Sequence, residues 1–332
     1  MSRATLARVL KPLAGIALLS VVVSRLDTAE LSRLWAHGDR GQLALGAGLF
    51  VLAFGVLQAV RLHLVVRHYT QGWGNTLRLF AVGAFFNNLL PSNVGGDAVR
   101  LLYLRNMRPG NWAGPLTLLL LHRLSGIAVL LLAALVHATL EYRRLSELVA
   151  ARGIDVGITL TPGLLLGVVL GGCALLGVLL VIPALSPVRA KLVELLGRCR
   201  AAIAELSAMD LWLLLLFTLL FHGARLLAFY VTVDYLGHTI APFDLIPVLA
   251  VTAVVALLPI TVGGLGLLEG SIAVMLGLFG VPLAAGVAAA LVNRVVLVLI
   301  AIVGGVLYAS DRDALRRAAA GAAPDPDPER PQ

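Results

Sequence analysis

Charge is scarce in this 332-residue chain: Asp, Glu, Lys and Arg together make up 13% of it. A water-exposed domain carries about 25%, so the deficit excludes an ordinary soluble fold. Lysine is nearly absent, with only Lys11 and Lys191 among 26 basic residues. Cysteine is limited to Cys173 in an apolar run and Cys199 in a basic connector, which gives neither a disulfide framework nor metal-ligand spacing. Asp97, Asp234, Asp244 and Glu269 show no D-x-D or D-x-x-D clustering, and H-E-x-x-H, G-x-S-x-G and any nucleotide-binding motif are missing. These absences argue against a metal-dependent transferase, a serine hydrolase and direct ATP coupling. No metal and no cofactor is expected.

What is present is apolar. Hydrophobic residues form 59% of the chain, and the mean hydropathy is +0.94. The net charge of +8 forms no contiguous patch, so nucleic acid is not an expected partner. Basic residues instead flank apolar runs, where they set topology and meet anionic lipid. A span needs about 20 apolar residues, and eight segments qualify: 9–26, 42–66, 76–104, 112–140, 161–183, 210–236, 244–280 and 282–308. The basic start of the chain resembles a signal peptide but lacks an A-x-A site, so 9–26 reads as a retained span.

Two segments are interrupted. Leu89-Leu90-Pro91-Ser92-Asn93-Val94-Gly95-Gly96 and Leu257-Leu258-Pro259-Ile260-Thr261-Val262-Gly263-Gly264 share the pattern L-L-P-x-x-V-G-G, 168 residues apart. Proline and paired glycines break a helix. Non-helical backbone at membrane depth survives only inside protein or beside a wet cavity. If both segments cross the membrane, the loops hold 12 basic residues inside and 9 outside. If both are re-entrant, the split is 15 to 6, which the positive-inside rule favours.

The expected fold is therefore an all-α polytopic membrane protein with about six full spans and two re-entrant broken-helix hairpins. One hairpin enters from each face, so the two form an inverted repeat with halves at 42–140 and 210–308. Such repeats are a transporter signature. A single transmembrane domain covers 1–310, and 311–332 reads as a disordered cytoplasmic tail. Both termini are expected on the cytoplasmic side of the cell membrane.

The two breaks, together with His122-Arg123 and Asn293-Arg294 that follow each by 27 to 30 residues, resemble the lysylphosphatidylglycerol synthase transmembrane-region family, or flippase-like domain family. In that family the domain occurs fused to an aminoacyl transferase, where it moves aminoacylated lipid between leaflets. Stand-alone members accompany isoprenoid, hopanoid and polyprenyl-linked glycan lipids. The 22 residues after Ser310 are too few for a transferase domain, so the resemblance implies lipid handling without lysyl transfer.

Apart from Arg25 and Arg78 at the very edges of their segments, five arginines lie within the apolar segments. Arg61 and Arg100, near segment ends, are expected to snorkel to the interface. Arg123, Arg225 and Arg294 fall near mid-membrane, where each charge costs at least about 2.5–3.5 kcal/mol and needs a partner or a wet cavity. Asp97 and Glu269 are the nearest acids, with Asp234 farther off. Either these acids neutralise the arginines or a cationic cavity remains. Gly95, Gly96, Gly263 and Gly264 open helical segments where unpaired N–H groups bind anions, or they serve close packing. Asn93 and Thr261 satisfy freed backbone or contact ligand.

Asp97 and Glu269 are also candidates for proton coupling or ion pairing. His63, His122 and His222 read first as packing residues and second as proton relays. The leading expectation is a flippase-like carrier of an anionic or polyprenyl-phosphate lipid, with no enzymatic activity. The alternatives are a non-transporting partner of a lipid synthase or glycosyltransferase, docking through the basic 186–207 helix, and a lipid-headgroup transferase.

Overall fold

The computed structural model describes residues 39–70, 72–90, 95–107, 113–150, 197–198, 200–258 and 260–310, and all regular structure there is helical. The expected spans 9–26 and 161–183, the tail 311–332 and most of the 186–207 connector lie outside the described residues.

Among the described residues four helices are long and apolar enough to cross a membrane. They are α1 (Arg40–Thr70), α4 (Ala113–Leu140), α6 (Ala208–Tyr235) and α9 (Leu283–Ser310). At 28 to 31 residues each they reach over 40 Å at about 1.5 Å per residue, more than the roughly 30 Å hydrocarbon core. Large apolar side chains such as Leu132, Leu219, Leu299 and Val306 point outward, which in water would be a liability and in lipid is the matching solvent. Helix α1 contains a π-helical stretch, Leu52–Leu57.

Ion pairs and polar contacts mark the ends of the bundle. Arg67 near the end of α1 meets Asp210 at the start of α6 at 2.8 Å, while Gln42 near the start of α1 meets Asp234 near the end of α6 at 3.1 Å. The two helices are therefore antiparallel. Asp210 also completes a capping box with Ser207. Ser207→Ala is expected to lower stability by about 1 kcal/mol, read as an earlier unfolding midpoint in detergent.

Both interrupted segments fold back on themselves. Helices α2 (Trp73–Leu89) and α3 (Gly95–Met107) are antiparallel: Arg100 Nη2 donates to the Phe80 carbonyl at 3.1 Å, and the Gly96 N–H donates to Asn87 Oδ1 at 2.8 Å. This hairpin begins beside Thr70 and inserts from the Arg67–Asp210 end. A short α5 (Tyr142–Ala150) follows α4.

Helix α7 (Leu245–Val255) leads from the opposite end to a 3-10 turn at Val262–Gly264, and α8 (Leu267–Leu278) returns. That end is fixed by Asp244, which is buried and takes both terminal nitrogens of Arg144. The hairpin tips meet, with the Gly263 N–H donating to the Leu90 carbonyl at 3.3 Å.

Three apolar clusters form among the described residues, a large one at each end and a small one of Ala53, Leu57 and Phe221. One large cluster gathers Phe229, Val248, Leu249, Ile272, Leu276 and Ala289; the other gathers Leu62, Val66, Tyr69, Leu104, Leu118 and Leu214. The arginines Arg61, Arg100, Arg123, Arg225 and Arg294 lie between the two large clusters.

A candidate anion-binding cavity at mid-depth

A cavity of about 300 Å³ opens where the hairpin tips meet, and five arginines line it: Arg61, Arg100, Arg123, Arg225 and Arg294. The four on long helices stand nine to eleven residues from the nearer helix end, about 13–17 Å along the axis. That is the depth at which an arginine must be held by protein.

The expectation that Arg61 and Arg100 snorkel to the interface is corrected. Arg61 is 2% and Arg100 5% exposed. Helix α1 continues for nine residues beyond Arg61, which sets Arg61 too deep to reach water. Arg100 lies on the returning arm of the first hairpin, on the face that packs against α2. Arg61 spends every nitrogen on neutral acceptors: Nε on Thr218 Oγ1, Nη1 on Gln58 Oε1, and Nη2 on the His122 carbonyl and Ser125 Oγ.

The acids pair as two matching constructions. Asp97 on α3 takes Arg123 of α4 at 2.8 Å and Arg100 at 2.7 Å. Glu269 on α8 takes Arg294 of α9 and, through its other oxygen, the Gly266 N–H at 2.7 Å. Arg294 also donates to the Gly263 carbonyl at 2.9 Å, tying the second tip to α9. The acid precedes its arginine by 26 residues in the first half and 25 in the second. Asp234 bonds Gln42 and touches no arginine.

Five guanidiniums against the two carboxylates leave three positive charges uncompensated among the described residues. Arg225 is the clearest case. It is 8% exposed, lies over the rings of Phe54 and Phe221 at 5.2 and 5.6 Å, and its Nε has no acceptor. Of the two outcomes open from sequence, complete neutralisation and a cationic cavity, the geometry fits the second.

Of the expected site residues, Arg123, Arg225, Arg294, Gly263 and Asp97 line the cavity. Glu269 sits just behind it. The Gly96 and Gly263 amides are engaged by Asn87 and Leu90. Gly95 and Gly264 are buried next to them, and Thr261 is buried with its hydroxyl unbonded. Asn93 lies outside the described residues. Sequence reasoning missed Asn87, Asn88 and Gln58 as cavity residues, along with the Phe54 and Phe221 rings. No signal marked them beyond position in an apolar helix. Among the described residues no three His, Cys, Asp or Glu side chains come together as a metal site.

The family model for the lysylphosphatidylglycerol synthase TM region matches residues 8–305. The chain belongs to that family. It is thus a membrane domain of a lipid-handling lineage, and the two breaks and both acid–arginine pairs fall inside the matched region. Searches of the curated proteins and of the solved structures return no match.

Proposed function

We propose that the protein is a lipid carrier of the flippase type, which admits the phosphate-bearing headgroup of an anionic or polyprenyl-phosphate lipid to the central cavity and passes it between leaflets of the cell membrane. The carrying observation is that, among the described residues, five arginines converge on one mid-depth cavity where two acids, Asp97 and Glu269, pair with them. A fixed excess of positive charge in a site walled by Phe54, Phe80 and Phe221 attracts an anion strongly, because apolar walls screen it less than bulk water does. Guanidinium matches phosphate oxygens in a two-pronged geometry. Acyl or prenyl chains stay in the surrounding lipid.

The two halves, 42–140 and 210–308, act as opposed arms. The first hairpin faces the cytoplasm and the second the outside, in keeping with the distribution of basic residues. Rearrangement at the contact between the tips alternates access to the cavity. The protein acts without an enzymatic step.

The test is translocation of labelled phosphatidylglycerol and phosphatidylcholine in proteoliposomes. The wild type is expected to move the anionic lipid faster than the zwitterionic one, and Arg123→Gln to slow it about tenfold or more. Arg123 is the informative position because Asp97 keeps Arg100 as a partner when it is lost. Movement no faster than in protein-free liposomes refutes the carrier reading.

A further inference from the structure

The five arginines are not equivalent, and their partners sort them. Arg123 and Arg294 each join a hairpin arm to a long helix through a carboxylate. Arg100 is divided between Asp97 and the Phe80 carbonyl, with its Nε unbonded. Arg61 has all its nitrogens committed. Arg225 has two aromatic faces, no carboxylate and a free Nε. Phe54, one of those faces, belongs to the π-helical stretch of α1, a feature that recurs at functional sites. Its widened turn sets Phe54 and Gln58 on the cavity wall.

In the same cavity Arg100 Nε and His122 Nε2 lack partners in the first half, and one atom each of His222 and Asn293 lacks one in the second. His222 engages the Gly126 carbonyl through Nε2 at 2.8 Å, so Nε2 carries the proton, and in the neutral ring the unpartnered Nδ1 is an acceptor. Asn293 is 8% exposed and its Oδ1 is also unpartnered. A buried donor on a guanidinium and two buried acceptors are costly unless a ligand meets all three.

We infer that Arg225 grips the ligand's phosphate, that His222 and Asn293 accept hydrogen bonds from hydroxyls on its headgroup, and that Arg123 and Arg294 are latches for the hairpins. The ligand class is a phosphate ester bearing a polyol, such as glycerol. A headgroup ammonium would also donate to the two acceptors, but the three excess positive charges oppose it. That the polyol phosphate is a lipid's rests on the carrier reading; the site itself does not.

The experiment is binding to the purified full-length protein in detergent, by native mass spectrometry. The ligands are the dioctanoyl forms of phosphatidylglycerol, phosphatidic acid and phosphatidylethanolamine, together with soluble glycerol 1-phosphate. Phosphatidylglycerol is expected to bind most tightly. Arg225→Gln should weaken it about tenfold or more, and Arg225→Lys, which keeps the charge over both rings but loses Nε, by several-fold. Asn293→Ala should erase the preference over phosphatidic acid.

The double variant Asp97→Asn/Arg123→Gln should retain more phosphatidylglycerol binding than Arg225→Gln, and an equal loss in both overturns the division into grip and latch. Unchanged binding by both Arg225 variants overturns the grip, and equal binding of phosphatidylethanolamine overturns the polyol assignment. Arg225-dependent binding of glycerol 1-phosphate without lipid binding supports the site and assigns it to a soluble anion. Arg225-dependent lipid binding without translocation supports the site and removes the carrier reading.

Discussion

Arg294→Gln is expected to destabilise the protein by about 3–5 kcal/mol, the range for breaking a buried ion pair from one side. The Glu269 side chain is 3% and Arg294 11% exposed, so water cannot replace the lost partner. Glu269 would keep only the Gly266 N–H, and the Gly263 carbonyl would lose its donor. The reverse single change, Glu269→Gln, leaves Arg294 as a fourth uncompensated charge beside the cavity.

The double variant Glu269→Gln/Arg294→Gln should recover most of the loss, because two neutral amides can bond each other and still meet Gly266 and Gly263. Unfolding midpoints in detergent for the two single variants and the double close the cycle. A single Arg294→Gln as stable as wild type would show that this pair does not hold the second hairpin. Arg123→Gln should cost less, about 1–2 kcal/mol, since Asp97 retains Arg100.

That pair also measures what could be read from the chain alone. The breaks at Pro91 and Pro259, the acids Asp97 and Glu269, and the arginines downstream were all legible, because proline, glycine and charge are rare enough in an apolar chain to carry signal. Spans at 112–140, 210–236 and 282–308 agree with α4, α6 and α9 within two residues at each end. Arg61 and Arg100 were misplaced for a physical reason. Distance from the end of an apolar run says how deep a residue lies only if the helix ends with the run. Helix α1 instead carries on through Val65 and Val66 to Thr70, with His63, Arg67 and His68 interrupting the apolar pattern.

Arg100 needed the hairpin to be folded before its neighbours were defined. The π-helical stretch is the same kind of omission: nothing in Leu-Ala-Phe-Gly-Val-Leu distinguishes it from ordinary helix. The polar residues Asn87, Asn88 and Gln58 have short-range partners, which sequence spacing does not reveal until the helix faces are packed.

Gly96→Ala is expected to cost about 1–3 kcal/mol, as for an overpacked contact between backbones. A Cβ there would run into the carbonyl oxygen of Gly83 and lie 2.7 Å from the Asn87 side-chain amide. Neither neighbour yields easily: the carbonyl belongs to the interior of α2, and Asn87 holds the Gly96 N–H that starts α3. The hairpin would have to splay, moving Asp97 and Arg100 away from Arg123 and the cavity wall.

Gly223→Ala on α6 is the control, since its Cβ meets nothing within 4 Å. There the loss of backbone freedom in the unfolded chain dominates, and stability should be unchanged or rise by about 0.4–1 kcal/mol. The measurement is the unfolding midpoint of both variants, with hydrogen exchange of the 95–107 arm as the local readout. Opposite signs at the two glycines would assign Gly96 to close packing of the hairpin, whereas a harmless Gly96→Ala would mean that α2 and α3 do not lie this near each other.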